Sequence, residues 1–167
     1  SPGSGVTAGS DCNDASSAVS PAATEVCDSV DNDCDGSIDE ASAADAVTWY
    51  ADSDSDSYGA AGTSQVSCSQ PTGYVADNTD CDDLSSTTYP GAASTDSTTA
   101  CMSDGDGDGY GDDSPGSGVT AGSDCDDSDA SVSPLGTEEC DGIDNDCDGS
   151  VDEDTAVDVL TWYADSD

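Results

Sequence analysis

Acidic residues occupy every second position from Asp144 to Asp148. Gly149 follows and Asp152 comes next, inside the stretch Cys140 to Glu153. Side chains at positions 1, 3 and 5 of such a loop point inward, a backbone carbonyl serves at 7, and an acid serves at 9. The turn at position 6 favours glycine. Four loops carry this alternation. Asp31, Asp33, Asp35 and Asp39 form the first, with the Ser37 carbonyl. Asp52, Asp54 and Asp56 form the second, with the Tyr58 carbonyl. Asp104, Asp106, Asp108 and Asp112 form the third, with the Tyr110 carbonyl. Asp144, Asp146, Asp148 and Asp152 form the fourth, with the Ser150 carbonyl. The second is the poorest match, with Ser57 at the glycine position and Ala60 at the ninth.

Position 12 holds Ser42, Thr63, Pro115 and Thr155, so the bidentate glutamate of a helix-loop-helix hand is missing. Further carboxylates must come from other segments. The Asp-Cys-Asp clusters are the natural donors: Asp11 and Asp14, then Asp80, Asp82 and Asp83, then Asp124, Asp126 and Asp127, with Asp28 and Asp141 as additional candidates. Closure of this kind couples metal binding to folding. All-oxygen, carboxylate-rich sites suit hard cations, and crowded multi-carboxylate loops favour Ca2+ over Mg2+. Calcium is therefore the expected cofactor. Thiolate ligation through Cys27, Cys34, Cys140 and Cys147 is the alternative.

Nine cysteines in an acidic chain point to an oxidising, extracellular setting. The repeat suggests pairs Cys68–Cys81 and Cys101–Cys125 around acidic loops, and short pairs Cys27–Cys34 and Cys140–Cys147. Cys12 then takes a partner from a copy lying before Ser1. Six cysteines per unit allow fifteen connectivities, so this is one scheme among several.

The elements that hold these loops are repeated. Ser1 to Cys12 is identical to Ser114 to Cys125, and the offset of 113 runs on to Trp49–Asp54 against Trp162–Asp167. Residues 1–113 read as a first unit, with half-units about 1–66 and 67–113, and 114–167 as the start of a second. The chain opens inside a repeated phrase, which fits a mature product or a segment of something longer. Short strands are expected at Ala46–Tyr50, Gln65–Cys68, Gly73–Val75 and Val157–Tyr163. Single helical turns are expected at Glu40–Asp45 and Asp152–Asp158, and Gly, Pro, Asp, Asn and Ser make the rest turns. The fold class is thus little regular secondary structure: an elongated, calcium-wrapped, disulfide-stapled repeat with short β strands.

The formal charge is −39, with no Lys, Arg or His. No side-chain salt bridge can form. Without cations the like charges favour expansion, and the composition alone would fit a disordered linker. Histidine-based triads, lysine nucleophiles and phosphate clamps are absent, so the chain reads as non-enzymatic. Nucleic acid and anionic membranes are disfavoured by charge. No stretch is long and apolar enough to span a bilayer, and trypsin-like proteases find no site to cut. Ser/Thr-rich stretches at 85–88 and 94–99 are candidates for O-linked glycan.

The phrase Cys27–Glu40 and its copy resemble the metal-binding Asp/Cys repeats of secreted bacterial surface proteins, a family named after a copper-associated protein of methane oxidisers. Asp80–Asp83, Tyr89–Ala92, Trp49–Asp52 and Gly73–Val75 fit it too. Copper binding in the name-giving protein goes with His and a modified Trp. With no His here, the resemblance is taken to imply metal binding with calcium as the ion, and Trp49 and Trp162 as packing residues. A second similarity, strongest at Asp104–Asp112, is to the calcium-wrapped aspartate repeats of thrombospondins. Together these imply a calcium-stabilised structural repeat of an extracellular fibre, filament or cell-surface stalk, whose partners are further copies of the same repeat. The alternative is a calcium-dependent adhesin or metal-sequestering surface module. An exposed aromatic patch around Tyr50, Tyr58, Tyr74, Tyr89 and Tyr110 would favour the adhesin.

Overall fold

The computed structural model describes residues 10–164. The repeated phrase before Ser10 and the acids of Asp165–Asp167 lie outside the described residues. Five short strands stand among turns: β1 (Val47–Ala51), β2 (Ala60–Ser67), β3 (Tyr74–Val75), β4 (Thr88–Pro90) and β5 (Cys101–Ser103). β1 lies between β2 and β3, both antiparallel to it, while β4 and β5 form a separate antiparallel pair. β1 is rich in β-branched and aromatic residues, as a central strand should be. The register places Trp49 opposite Gln65 and Thr48 opposite Val66, and the Trp49 indole N–H donates to the Ser67 carbonyl at 3.1 Å. The loop Asp52–Asp56 is therefore the turn of a hairpin, pinned at both ends.

The expected strands at 46–50 and 73–75 are present with ends shifted by at most one residue, the one expected at 65–68 is the end of a longer β2 that starts at Ala60 and stops before Cys68, and β4 and β5 were not anticipated. Val157–Tyr163, expected as a strand, is irregular. Its counterpart β1 is flanked by two strands, and no strand among the described residues pairs with this second version. The segments 40–45 and 152–158 form turns closed by Ala43 N–H to Glu40 O and Ala156 N–H to Glu153 O, at 3.0 Å each.

The apolar core is small. Val19, Ala43, Ala93, Met102, Val132 and Ala156 are its buried members. Hydrogen bonds and cystines do much of what apolar burial does in larger domains. They recur at the 113-residue offset: Ser20 N–H to Asn32 O is 2.8 Å and Ser133 N–H to Asn145 O is 3.0 Å. Buried Glu25 accepts the Asn32 N–H at 2.8 Å, and buried Glu138 accepts that of Asn145 at 2.8 Å.

Four cystines join Cys12 to Cys34, Cys27 to Cys68, Cys81 to Cys101, and Cys125 to Cys147. Cys140 carries a free, exposed thiol. This corrects the expected pairing at every bond, and Cys12 needs no partner before Ser1. The reason is the loop itself. Asp31–Asp35 curls around its own carboxylates and turns Cys34 outward to the Cys12 segment, so the nearby Cys27 is left to bond β2 at Cys68. Cys125–Cys147 repeats Cys12–Cys34.

Candidate metal centres

The acids at the first, third and fifth positions of the second and third loops each commit one oxygen to their own backbone, except Asp104, whose Oδ2 also accepts the Gly109 N–H at 3.1 Å as the first acids of the other two loops do. Asp52, Asp54 and Asp56 accept, through Oδ1, the N–H groups of Ser55, Asp56 and Tyr58 at 2.7, 3.2 and 2.8 Å. Asp104, Asp106 and Asp108 accept those of Gly107, Asp108 and Tyr110 at 2.8, 3.1 and 2.8 Å. These are Asx turns, the local reason short aspartates fill the run. The Oδ2 atoms of Asp54, Asp56, Asp106 and Asp108 are thereby buried with no hydrogen-bond partner. Oxygens of Asp52, Asp54 and Asp56 lie within 4.8 Å of one another, and so do those of Asp104, Asp106 and Asp108. Buried, unpartnered carboxylate oxygens in a group repel one another and cost free energy unless a cation joins them.

A second segment completes each cup. Parallel bridges set Ala60 beside Asp80 and Asp112 beside Asp124, and Oδ2 of Asp80 and of Asp124 is buried and unpartnered in the same way. Asp124 has no solvent exposure. Burial pushes its carboxyl up to about 6 despite the Asp126 N–H that pulls it down, and the charges of Asp108, Asp106 and Asp127 add to the rise. Asp80 is raised for like reasons: burial first, opposed by the Asp82 and Cys81 N–H groups, then reinforced by Asp54 and Asp83. The approach is close at Gly59, where a Cβ would stand 2.6 Å from the Asp77 carbonyl oxygen.

Asp83 and Asp127 act as clasps rather than cup oxygens. Asp83 accepts the Ser53 N–H at 2.8 Å and hydroxyl at 2.7 Å. Asp127 accepts the Gly105 N–H at 2.8 Å and the Ser103 hydroxyl at 3.0 Å. Asp82 and Asp126 are exposed and accept from Leu84 and Ser128 within their own turns. Asp11, exposed, caps Asn13 at 2.8 Å, and Asp14 is exposed. Asp28 and Asp141 cap Val30 and Ile143.

The first and fourth loops close differently. Both oxygens of Asp31 accept backbone N–H groups, from Asp35 and Gly36 at 3.1 Å each, and Asp144 does the same with Asp148 and Gly149. Asp33 and Asp35 cap Asp35 and Ser37, and Asp146 and Asp148 cap Asp148 and Ser150. Oxygens of Glu25, Asp31 and Asp33 converge within 4.8 Å, as do those of Asp33, Asp35 and Glu40. Oε2 of Glu40 and of Glu153 is buried and unpartnered. A backbone N–H pulls the Glu40 carboxyl down most strongly, yet desolvation and the charges of Glu25, Asp35 and Asp33 together leave it raised. Glu153 is raised in the same manner, with Glu138, Asp148 and Asp146 as its neighbours.

The ninth-position acids differ from expectation. Asp39 and Asp152, both at φ +55°, accept the N–H of Ser29 at 2.9 Å and of Gly142 at 2.8 Å, closing the loop from outside. Asp112 caps Ser114 at 2.8 Å. The N–H groups of Ser37, Tyr58, Tyr110 and Ser150 all donate back to the fifth-position acid. Sequence reasoning missed Glu25, Glu40, Glu138 and Glu153. Their one advance signal was that an Asp-dominated chain keeps only five glutamates and places four at matching positions of the two copies. It also missed Asp96, which accepts from Gly111 N–H at 3.0 Å and from the Ser123 N–H and hydroxyl at 2.9 and 2.6 Å. Burial would raise this carboxyl, but those three bonds hold it below its ordinary range.

Sulfur is withdrawn from ligation at these loops except at Cys140, whose thiol is free and exposed ahead of the fourth. Cys27, Cys34 and Cys147 are in cystines, and the sulfurs near Asp124 belong to Cys125–Cys147.

Three stretches match one family. Residues 11–40, 80–97 and 124–153, just under half of the chain, match the family model for the Cu-binding MopE metal-binding motif. They include the first and fourth loops and the two segments that bring Asp80 and Asp124 into the other cups. No curated protein and no solved structure matches the chain. The resemblance to the Asp/Cys metal-binding repeats therefore has support, and the thrombospondin similarity has none. The match also corrects the calcium assignment, since the family's name gives copper. The physical reason is twofold. Carboxylate oxygens alone do not select calcium, because affinity for divalent first-row ions at a given N/O site rises to Cu2+. The expected wrapping, with an acid ligand at position 9, is not the geometry these loops adopt. The matched motif is described as metal-binding, in line with the non-enzymatic reading.

Proposed function

We propose that the chain is a metal-sequestering module of an extracellular surface protein, with each of its four acidic loops the core of one divalent-cation site. The observation that carries this is the set of buried carboxylate oxygens without partners: Asp54, Asp56 and Asp80 in one cup, Asp106, Asp108 and Asp124 in another, and Glu40 and Glu153 in the remaining two. Copper enters from the family's name. The donor set fits Cu2+, which takes oxygen ligands in tetragonal geometry, and not Cu+, which wants thiolate or thioether. Cystines hold eight cysteines and Met102 is buried in the small core. A bound cation would cancel repulsion among the carboxylates, and the cystines would hold the loops ready for it.

The four cystines support placement outside the reducing cytosol. Among the described residues no helix is long and apolar enough to cross a membrane. Sequestration is preferred to a fibre or stalk because the cups support it directly, whereas the fibre reading rests on repetition alone. An adhesive aromatic patch is disfavoured, since Tyr50, Tyr58, Tyr74, Tyr89 and Tyr110 are all half-buried and Tyr58 stacks on Tyr89 with ring centres 5.0 Å apart.

The test is copper(II) titration of the oxidised chain, with metal counted by mass spectrometry and ligand type read by electron paramagnetic resonance. Four oxygen-ligated Cu2+ per chain, retained against a large excess of calcium, is the expected result. Loss of copper to calcium, or an unstructured residual signal without stoichiometry, overturns it.

A further inference from the structure

Both oxygens of Asp96 are engaged by protein donors. Oδ2 accepts the N–H groups of Gly111 and Ser123, at 3.0 and 2.9 Å, and Oδ1 accepts the Ser123 hydroxyl at 2.6 Å. Gly111 belongs to the third loop and Ser123 precedes Asp124, so one side chain ties that loop to the segment that inserts the fourth acid. When Pro90 is set against Pro21, Asp96 falls on Cys27, which bonds to Cys68. A three-point hydrogen bond thus stands where the related segment has a cystine. The fit around it is close. A Cβ on Gly122 would stand 2.6 Å from Asp96 Oδ2, and one on Gly111 would stand 3.0 Å from fully buried Ala93. Asp124 N–H also reaches Gly111 O at 2.8 Å, and Gly122 N–H reaches Asp112 O at 2.8 Å.

The second cup has the same plan without this clamp. Gly59, Thr79 and Asp80 correspond to Gly111, Ser123 and Asp124. Thr79 gives its N–H and hydroxyl to Asp77 in its own segment, and Asp80 N–H reaches Gly59 O at 3.3 Å. The first and fourth loops offer one buried, unpartnered carboxylate oxygen each, on Glu40 and Glu153, against three in the third cup, on Asp106, Asp108 and Asp124. The clamp matters because the cup is assembled against charge. Asp124, with no solvent exposure, sets a fourth carboxylate among Asp104, Asp106 and Asp108. A cation that must first draw such a segment back against repulsion binds more weakly, and a segment already pinned avoids that loss.

We propose, on the reading of the cups as divalent-cation sites, that Asp96 is a positioning residue for the third cup. It binds no metal itself, holds Asp124 in place before the cation arrives, and makes this the tightest of the four sites.

The test uses the full oxidised chain carrying Cys140→Ser, so that no free thiol reduces the ion, with Cu2+ titrated against a chelator of known affinity. The parent should show one dissociation constant at least tenfold below the others, and Asp124→Asn should abolish that site. Asp96→Ala should raise the same constant at least tenfold and leave the other three within about twofold. Asp96→Asn discriminates between holding and ligating. Its amide oxygen accepts both N–H groups while its NH2 donates to the Ser123 hydroxyl oxygen, so the clamp stays and the charge goes. It should remain within about threefold of the parent. A loss in Asp96→Asn as large as in Asp96→Ala, an equal loss at all four sites, or no loss at the tightest site would each overturn the proposal. A second readout needs no metal. In the chelated chain the Asp124 amide hydrogen should exchange at least tenfold faster in Asp96→Ala than in the parent, and at the parent's rate in Asp96→Asn. Unchanged exchange in Asp96→Ala overturns the clamp, whereas this exchange pattern in a parent that takes up no stoichiometric copper keeps the clamp and overturns the metal reading.

Discussion

At Ser57 a side chain stands where the other three loops have glycine. Gly36, Gly109 and Gly149 take φ of +96°, +96° and +93°, and Ser57 takes +82°. The loop geometry thus overrides the residue's preference, at a cost of about 1–2 kcal/mol for a non-glycine residue in the left-handed region. Ser57→Gly should recover about 1 kcal/mol of stability, read as a raised midpoint in urea denaturation of the oxidised, metal-free chain. Neighbouring acids should likewise separate by role. Glu40→Gln should lower copper stoichiometry by one, because its unpartnered oxygen faces Asp33 and Asp35. Asp39→Asn should leave stoichiometry intact and loosen the Ser29 clasp, which calorimetry and thermal melts would distinguish. This division was not legible beforehand. Spacing by twos names the acids that can point inward, but positions 9 and 10 of a loop compete for the interior, and their backbone decides. At φ +55° Asp39 turns out to the Ser29 N–H, and Glu40 turns in.

Pairing between distant segments sets the cups at the level of elements. The bridges Ala60–Asp80 and Asp112–Asp124 insert one acid into an already acidic loop. The Asp-Cys-Asp clusters were readable as donors, and Asp80 and Asp124 are placed as such. Their neighbours Asp82, Asp83, Asp126 and Asp127 were not separable from them by sequence, since clasping, capping and ligation use the same side chain. β1 was readable from its apolar pattern, yet the same pattern at 160–164 makes no strand, because a strand needs a partner and partners are not written in the segment itself. The inserted acids carry a pH dependence. Glu40, Asp56, Asp80, Asp106, Asp124 and Glu153 are all raised, Asp124 to about 6, against the lowered Asp96, Asp129 and Asp158. A raised folded-state carboxyl binds its proton more tightly than the unfolded chain does. Its contribution to stability is present below the ordinary carboxyl range and is lost as pH rises through the folded value. The chelated protein should therefore be more stable at pH 4.5 than at pH 7.5, with the Asp124 contribution lost most steeply between the ordinary carboxyl range and about 6. Asp124→Asn should flatten that loss and delete one metal site, as urea melts across the pH range would show.

Across the whole molecule, a net charge of −39 with no base to offset it meets a core of six apolar side chains among the described residues. Cystines are the covalent restraint. Each is worth about 2–4 kcal/mol for loops of this size, and the closed loops run from 20 to 41 residues. They are not independent of the cups. Cys34 sits between Asp33 and Asp35, and Cys147 between Asp146 and Asp148, so a cation held by either pair of acids fixes the half-cystine between them. Cys81 lies beside Asp80, and its partner Cys101 lies in β5, outside any run. Reduction requires a thiolate to approach the sulfur in line, and the flanking carboxylates repel that anion until a cation neutralises them. Bound metal therefore acts in two opposing ways. It lowers the repulsion of the attacking thiolate, and it removes the loop motion that opens the bond. The second effect should dominate, because a fixed loop must release its cation before Cys34 can turn, and that release costs the binding free energy. Because thiols and phosphines also reduce Cu2+, redox-inactive Zn2+ stands in for it here: timed reduction with alkylation and peptide mass mapping should show zinc-loaded protein losing Cys12–Cys34 and Cys125–Cys147 at least tenfold more slowly than chelated protein, with a smaller change at Cys81–Cys101. A neutral phosphine reductant, which does not suffer the charge effect, should show the larger ratio. Once both metal and cystines are gone, nothing opposes the charge, and the radius of gyration in X-ray scattering should approach the unfolded value of about 40 Å.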